Sequence, residues 1–382
     1  MWSGSPLVSQ RVSASAGAHT SPESRMRIVL LTTAVTPGGV SRHLLDLASG
    51  LRDRGHEPCL ALSPGASRVA SDATDRGLQV IPIRDAARTT ADIWHLHLHD
   101  TYERESLLLT LKRRPSGAAA VLTEHLPRSN ASDDTLLPGG RRPGAKQLKT
   151  VFKRMQARRV ERIIALSGGS RLFLQERYGL ANPLLRQVPN GIPLCGAPPT
   201  PPPPPNGVLR VSSVGALGMQ KGHDVLIDAA GLAEEKWSVT IVGEGFGRSR
   251  LERQAAAVGR GSVVFAGWRA DVSELLAGSD CICLPSRWES CPYAALEAMA
   301  AGRALVASAV DGLNELVEDG RTGFLVPPDD PRALAAALDE LARSPGLCTK
   351  YGEAARARVV EMGSLDRMID GTIAVYRELL DG

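Results

Sequence analysis

From Arg27 onward the chain alternates short apolar runs with amphipathic stretches of helical period, and it does so on both sides of one proline run. A strand that must pair in parallel with the next needs a crossover long enough for a helix, so this alternation points to parallel sheets with helices on their faces. In the first set, strands are expected at Ile28–Thr32, Glu57–Leu62, Gln79–Ile83, Ile93–Leu98, Ala119–Thr123 and Arg162–Leu166. The second set has Leu209–Val214, Ser238–Val242, Ser262–Phe265, the apolar run from Cys281 that ends at Pro285-Ser286, and Ala304–Ala307. Between the two sets lie Pro198-Pro199-Thr200 and Pro201 to Pro205, which cannot enter a sheet and form an extended, semi-rigid linker.

A chain of 382 residues exceeds what one ordinary core encloses, which also favours two α/β units. The expected division is a leader 1–25, a first domain 26–192, a linker 193–206, a second domain 207–362 and a C-terminal helical segment 363–382. The leader is rich in Ser, Ala and Gly, has no secretory apolar core, and is expected to be disordered, with Met26 as the natural start. A net charge of +4 gives no argument for nucleic acid as a partner. The six cysteines show no C-x-x-C pairing, and Cys281 and Cys283 share one face of a buried strand as packing residues. No apolar run reaches membrane-spanning length, so a soluble, cytoplasmic protein is expected.

Chemistry-bearing residues gather at expected strand ends, where open α/β sheets bind ligands. Glu289 falls in the loop after the Cys281 strand and Glu297 in the helix that follows, Tyr293 to Ala301, with seven residues between them. Ser290 and Cys291 offer backbone amides at that helix N-terminus, suited to a phosphate or a sugar hydroxyl. Lys221 sits in the glycine-flanked loop Gly215–His223, placed as a point charge on a diphosphate. Gly38-Gly39 precede a helix expected at Ser41–Asp53 and suit either a ligand's close approach or a plain tight turn. His95, His97 and His99 alternate on one strand, so a metal site has to be considered. Thr123-Glu124-His125 closes the next strand. Residues 128–145 are polar and Gly/Pro rich, as expected of a mobile loop over the cleft. Residues 146–162 read as an amphipathic helix with Lys146, Lys149, Lys153, Arg154, Arg158 and Arg159 on a basic face and Leu148, Phe152 and Met155 on an apolar side. That face suits solvent, a cleft edge, or weak contact with an anionic membrane surface. Gly243–Gly247 has the wrong spacing for a dinucleotide fingerprint, so an oxidoreductase reading rests on little.

The segment E-S-C-P-Y-A-A-L-E, with P-S before it and A-M-A-A-G after it, closely resembles the E-x7-E signature of the retaining family 4 glycosyltransferases of GT-B fold. Further segments resemble the same family: Gly38-Gly39 and the R-G-H that ends the first helix, the His95/His97 strand end, Thr123-Glu124-His125, Val188-Pro189-Asn190-Gly191-Ile192, the Gly215…Lys221-Gly222 loop, Gly243-Glu244-Gly245 and Gly267-Trp268-Arg269. The resemblance implies two Rossmann-like domains facing across a cleft, with the last helix crossing back onto the first. It implies transfer of a sugar from a nucleotide diphosphosugar, UDP-sugars favoured, to an acceptor hydroxyl with anomeric configuration retained, and no metal or other cofactor. By this resemblance Glu289 holds the donor sugar, helped by Ser290, Cys291 and Pro292. Glu297 holds the ribose, Lys221 the diphosphate, and His125 lies by the anomeric carbon. Gly39, Gly215 and Gly243 line the donor, and Trp268 and Arg269 flank the base, although Trp268 also suits interdomain packing. One departure stands out, since the family's phosphate-loop arginine falls at Ala216, with Arg248 as the candidate substitute. The acceptor, a small molecule, natural product or glycolipid, is encoded by no motif. The rival readings are a nucleotide-sugar-binding protein without turnover and an epimerase- or phosphorylase-like relative.

Overall fold

The computed structural model describes residues 25–98, 114–126, 145–194, 196, 207–258, 262–269 and 271–381. Expectations for residues 1–24, for His99, for the loop up to residue 144 and for the proline run lie outside them.

The first sheet is built from β1 (Arg27–Thr32), β2 (Glu57–Leu62), β3 (Gln79–Pro82), β4 (Ile93–Leu98), β5 (Ala119–Glu124), β6 (Arg162–Ala165) and β7 (Leu185–Gln187). Its spatial order is β3-β2-β1-β4-β5-β6-β7, with every pairing parallel. Its crossovers include α1 (Gly39–Asp53), α2 (Ser67–Asp75), α3 (Ala145–Ala157) and α4 (Gly168–Tyr178). The apolar strand runs are continuous because both faces are covered. Ile28 and Leu30 point to the α1 side with Leu44, Leu47 and Leu51, while Val29 and Leu31 join Trp94, Leu96, Leu174 and Tyr178 on the other.

The second sheet contains β8 (Leu209–Val214), β9 (Trp237–Val242), β10 (Ser262–Gly267), β11 (Cys281–Leu284), β12 (Ala304–Ser308) and β13 (Gly323–Val326), in the order β10-β9-β8-β11-β12-β13. Its helices are α5 (His223–Gly231), α6 (Arg248–Val258), α7 (Val272–Ala277), α8 (Tyr293–Ala300), α9 (Asp311–Leu316), α10 (Pro331–Arg343) and α11 (Pro345–Met362). Cys281 and Cys283 pack into one core layer with Val211 and Val306, and Ile282 and Leu284 into the other.

Helix α12 (Leu365–Leu380) leaves the second domain and completes the first. Its Met368, Ile369, Ile373 and Tyr376 lie in the same core as Leu44 and Ile28. Gly50 of α1 permits this approach, since a Cβ there would come within 1.9 Å of Ile369. The two chain crossings are bonded to each other, Ile192 N–H donating to Gly363 O at 2.9 Å and Leu365 N–H to Ile192 O at 2.9 Å.

Three local expectations need correction. The basic helix ends at Ala157, not near Arg162, because β6 begins there. Lys153 is not on an exposed basic face but fully buried against Glu124, while Leu148, expected on the apolar side, is 42% exposed. The short edge strands β7 and β13 carry too little alternation to stand out in the sequence. In both sheets the order reverses beside the first strand, between β1 and β4 and between β8 and β11. These are the switch points where loops part and ligands enter.

Candidate active site

At the switch point of the second sheet the loops after β8 and β11 are stitched together. Arg287 N–H donates to Gln220 O at 2.8 Å, Gln220 Nε2 to Trp288 O at 3.0 Å, and the Arg287 guanidinium bridges Asp224 at 2.9 and 3.0 Å. Burial raises the proton affinity of Asp224, but Arg287 outweighs it and holds the carboxyl below its ordinary range. Gly222 turns the chain at φ +63°, and a Cβ there would meet Pro285 O at 1.9 Å, so only glycine lets the loops close. Two of the sequence-selected residues meet at this junction. Lys221 Nζ donates to Glu289 Oε1 at 2.6 Å, and Ser286 Oγ donates to the same oxygen at 2.8 Å. Glu289 is buried, whereas Lys221 keeps part of its surface and runs its stem over Gly215. Gly243, at φ +141°, lies against Gly215 O, which a Cβ there would approach to 2.0 Å.

Ser290, Cys291 and Pro292 are buried and lead into α8. Their loop reaches the first domain, since Asn190 Nδ2 donates to Cys291 O at 2.7 Å. Glu297, on α8, is paired with Arg42 of α1. The Arg42 guanidinium also lies 4.7 Å from the centre of the Tyr293 ring, on which Gly39 borders. Burial disfavours the charge on Arg42, but Glu297 outweighs it and leaves the guanidinium more firmly protonated.

On the first sheet, His125 is buried at the end of β5, and its Nε2 lies 3.2 Å from His97 Nδ1 on β4. His43, from the buried stripe of α1, completes a group with ring centres 5.2 Å from His97 and 4.9 Å from His125. His95 lies against His97 with ring centres 4.0 Å apart, and its two nitrogens are taken up 2.6 Å from Tyr376 OH and 2.7 Å from Thr123 Oγ1. Of the alternating triad, His99 lies outside the described residues; among the described residues His43, His97 and His125 are the group with ligand atoms within 4.8 Å of one another. Burial drives the His43 imidazole down to about 4 and His97 well below its ordinary value, so both are neutral near pH 7.

The remaining candidates are more scattered. Trp268 is 51% exposed and carries the Arg68 guanidinium of α2 at 4.4 Å, an interdomain contact. Arg269 is tied to Asp271, and Arg248, the candidate substitute cation, to Glu244 and Glu252. Ala216 is exposed. Sequence reasoning did not single out Arg42 and His43, although His43 falls four residues before Leu47 on the apolar stripe of α1 and was open to that reasoning.

Residues 37–194 match the family described as Glycosyltransferase Family 4, and residues 209–344 that described as Glycosyl transferases group 1. The chain is similar to O-antigen chain mannosyltransferase C of Escherichia coli, 32% identical over 44% of this chain and 46% of that enzyme, so the match spans about half its length. It is also similar to alpha-maltose-1-phosphate synthase of Mycolicibacterium smegmatis, 28% identical over 93% of this chain and 100% of that one. Among solved structures, Anabaena HepE in complex with UDP and glucose aligns with a TM-score of 0.76 at 19% identity, covering 93% of this chain and 100% of HepE. The shared architecture is the GT-B fold of two Rossmann-like domains.

Proposed function

Because the chain belongs to the family 4, group 1 glycosyltransferases, we propose that it transfers a sugar from a nucleotide diphosphosugar to an acceptor hydroxyl with the anomeric configuration retained. The observation that carries this reading is the Lys221–Glu289 pair at the second switch point, joined through the 291–297 segment to α1 and Asn190 of the histidine-bearing first domain. In this reading Lys221 leaves Glu289 to meet the diphosphate, and the freed carboxylate takes the donor sugar hydroxyls together with the Ser290–Pro292 backbone. Glu297 takes the ribose, Trp268 and Arg269 border the base, and Gly39, Gly215 and Gly243 let the donor lie close to the backbone. The acceptor oxygen bonds to the anomeric carbon on the face from which the diphosphate departs, and its proton passes to the departing phosphate oxygen. His125 lies beside that carbon. Charge on the leaving group is met by Lys221 and helix N-termini, so the reading calls for no cofactor. A UDP-sugar is the favoured donor, since HepE has been crystallised with UDP-glucose. The acceptor is a small molecule, natural product or glycolipid, and the proposed location is cytoplasmic.

The experiment is a thermal-shift panel of UDP-, GDP-, ADP- and dTDP-sugars on the protein and on Glu297→Ala, followed by an acceptor screen scored by nucleotide release. Stabilisation by one nucleotide class, lost in the variant, supports the reading, and no response to any class overturns it. A second reading, donor binding without turnover, is favoured by exposed Ala216 and by the engagement of Arg248 with two glutamates. Tight binding with no transfer or hydrolysis across the screen would identify it.

A further inference from the structure

Three loops at the carboxyl edge of the second sheet meet on one side chain. Arg287 lies in the loop after β11, two residues before Glu289. Its Nη1 donates to Met219 O at 2.6 Å and to Asp224 Oδ1 at 3.0 Å, its Nη2 to Asp224 Oδ2 at 2.9 Å, and its Nε to Asp329 Oδ1 at 2.7 Å. Met219 opens the short 3-10 turn that ends at Lys221, and Asp224 follows in the first turn of α5. Asp329 comes from the loop after β13, two strands away from β11 in the sheet. The Arg287 side chain is mostly covered, and its planar fork meets carboxylate and carbonyl oxygens at fixed angles that a lysine ammonium does not reproduce.

The backbone at Asp329 points the same way. Among the described residues it is the one non-glycine with positive φ, at +60°. That region suits glycine, and strain of this kind persists where the surrounding structure holds it, often at a site. The Asp329 side chain is 57% exposed, so core packing does not account for it. What its position supplies is a carboxylate on Arg287 Nε. The loop that Arg287 holds contains Gly215, Gly218 and Gly222, residues that leave a backbone pliant unless it is anchored. Lys221 rides on that loop with its Nζ 2.6 Å from Glu289 Oε1. Glu289 is anchored from its own side, its carbonyl accepting from Gly312 N–H at 3.1 Å.

We propose that Arg287, held by Asp224 and Asp329, is the positioning residue that fixes the backbone beneath Lys221, so that exchanging Glu289 for a diphosphate moves only the lysine side chain. This rests on the proposed transfer, in which Lys221 turns from Glu289 to the leaving group. An ammonium on a long stem meets charge developing at one oxygen only if its anchor stays in place. A misplacement of about 1 Å costs on the order of a hundredfold in rate. Arg287 needs no contact with sugar or phosphate, since it acts through Met219, Gln220 and Lys221. Asp329 serves the same end from the third loop.

The test compares the full-length wild type with Arg287→Lys, Asp329→Gly and Asp329→Asn. Three readouts are taken: Tm, amide hydrogen exchange over residues 216–222 without nucleotide, and steady-state transfer from the nucleotide sugar that stabilises the wild type. Arg287→Lys keeps the charge and loses the fork, so residues 216–222 should lose exchange protection. Its kcat should fall about tenfold to a hundredfold with the acceptor KM unchanged. Asp329→Gly relieves the backbone, so Tm should hold or rise while kcat falls a few-fold, a split that a purely structural role does not give. Asp329→Asn keeps an oxygen acceptor, tolerates the left-handed backbone, and should restore kcat. Unchanged exchange in Arg287→Lys, or a kcat that simply follows Tm across the variants, would overturn the proposal. Should Arg287→Lys fail to fold, the two Asp329 variants decide by the same readouts. If the wild type binds no nucleotide sugar, the proposed function falls, and the exchange rates still decide whether Arg287 fixes the Lys221 loop.

Discussion

Arg42 of α1 and Glu297 of α8, 255 residues apart in the chain, are paired side chain to side chain across the seam between the two domains. The carboxylate proposed to receive a ribose is therefore already engaged by the opposite domain, and a nucleotide has to displace an arginine to reach it. Arg42→Ala should free Glu297 and tighten nucleotide diphosphate binding by a few-fold, in keeping with about 1 kcal/mol for a partly exposed pair. Calorimetric titration measures this. Weaker binding in the variant would mean that Arg42 itself holds the ligand.

Lys221→Ala should cost transfer on the order of a hundredfold in kcat, the scale set by removing one group that stabilises a developing oxyanion. Donor affinity should fall as well, because the diphosphate loses its point charge. Steady-state kinetics under saturating donor separates the two effects. A kcat unchanged by the substitution would remove Lys221 from the proposed chemistry.

Glu124 and Lys153 form an ion pair that is fully buried. Lys153→Met removes the ammonium from a carboxylate held in the core, and breaking such a pair by removing one partner costs about 3–5 kcal/mol. The double substitution Lys153→Met with Glu124→Gln should recover much of that loss. Urea unfolding of the three proteins checks it, and equal midpoints for the wild type and the single variant would contradict the burial.

His223 is buried, with Nδ1 3.2 Å from Ser213 Oγ, and burial together with the neighbouring Lys221 charge lowers its pKa to about 4. An unfolded histidine titrates near 6.5, so between these values the unfolded chain binds a proton that the native chain does not. Stability should then be full above about pH 6.5 and fall as the pH drops toward 4. Urea midpoints measured across this range in EDTA should decline, and less steeply in His223→Gln.

Much of the architecture was open to reasoning from sequence because parallel strands buried on both faces read as continuous apolar runs. Glu289 and Lys221 were legible for a related reason, as both follow such runs at glycine- or proline-marked turns. What stayed hidden was pairing between distant elements. Nothing local to Arg42 says that a helix of the other domain places Glu297 beside it. Lys153 looked like part of a basic face because lysine seldom lies inside, and the carboxylate of Glu124, on a strand 29 residues away, offsets its burial. The histidine group eluded strand periodicity because it draws one ring each from α1, β4 and the end of β5.

The return of α12 to the first core also bears on how the molecule is made. The wall against Leu44 and Ile28, with Tyr376 hydrogen-bonded to His95, is supplied by residues translated after the whole second domain. Domains generally fold in the order they leave the ribosome. Here the first half must wait, with apolar surface uncovered, for a helix that emerges after β13. A chain cut short before Leu365 would therefore leave the Leu44 and Ile28 face of the first domain uncovered, however complete the second domain was.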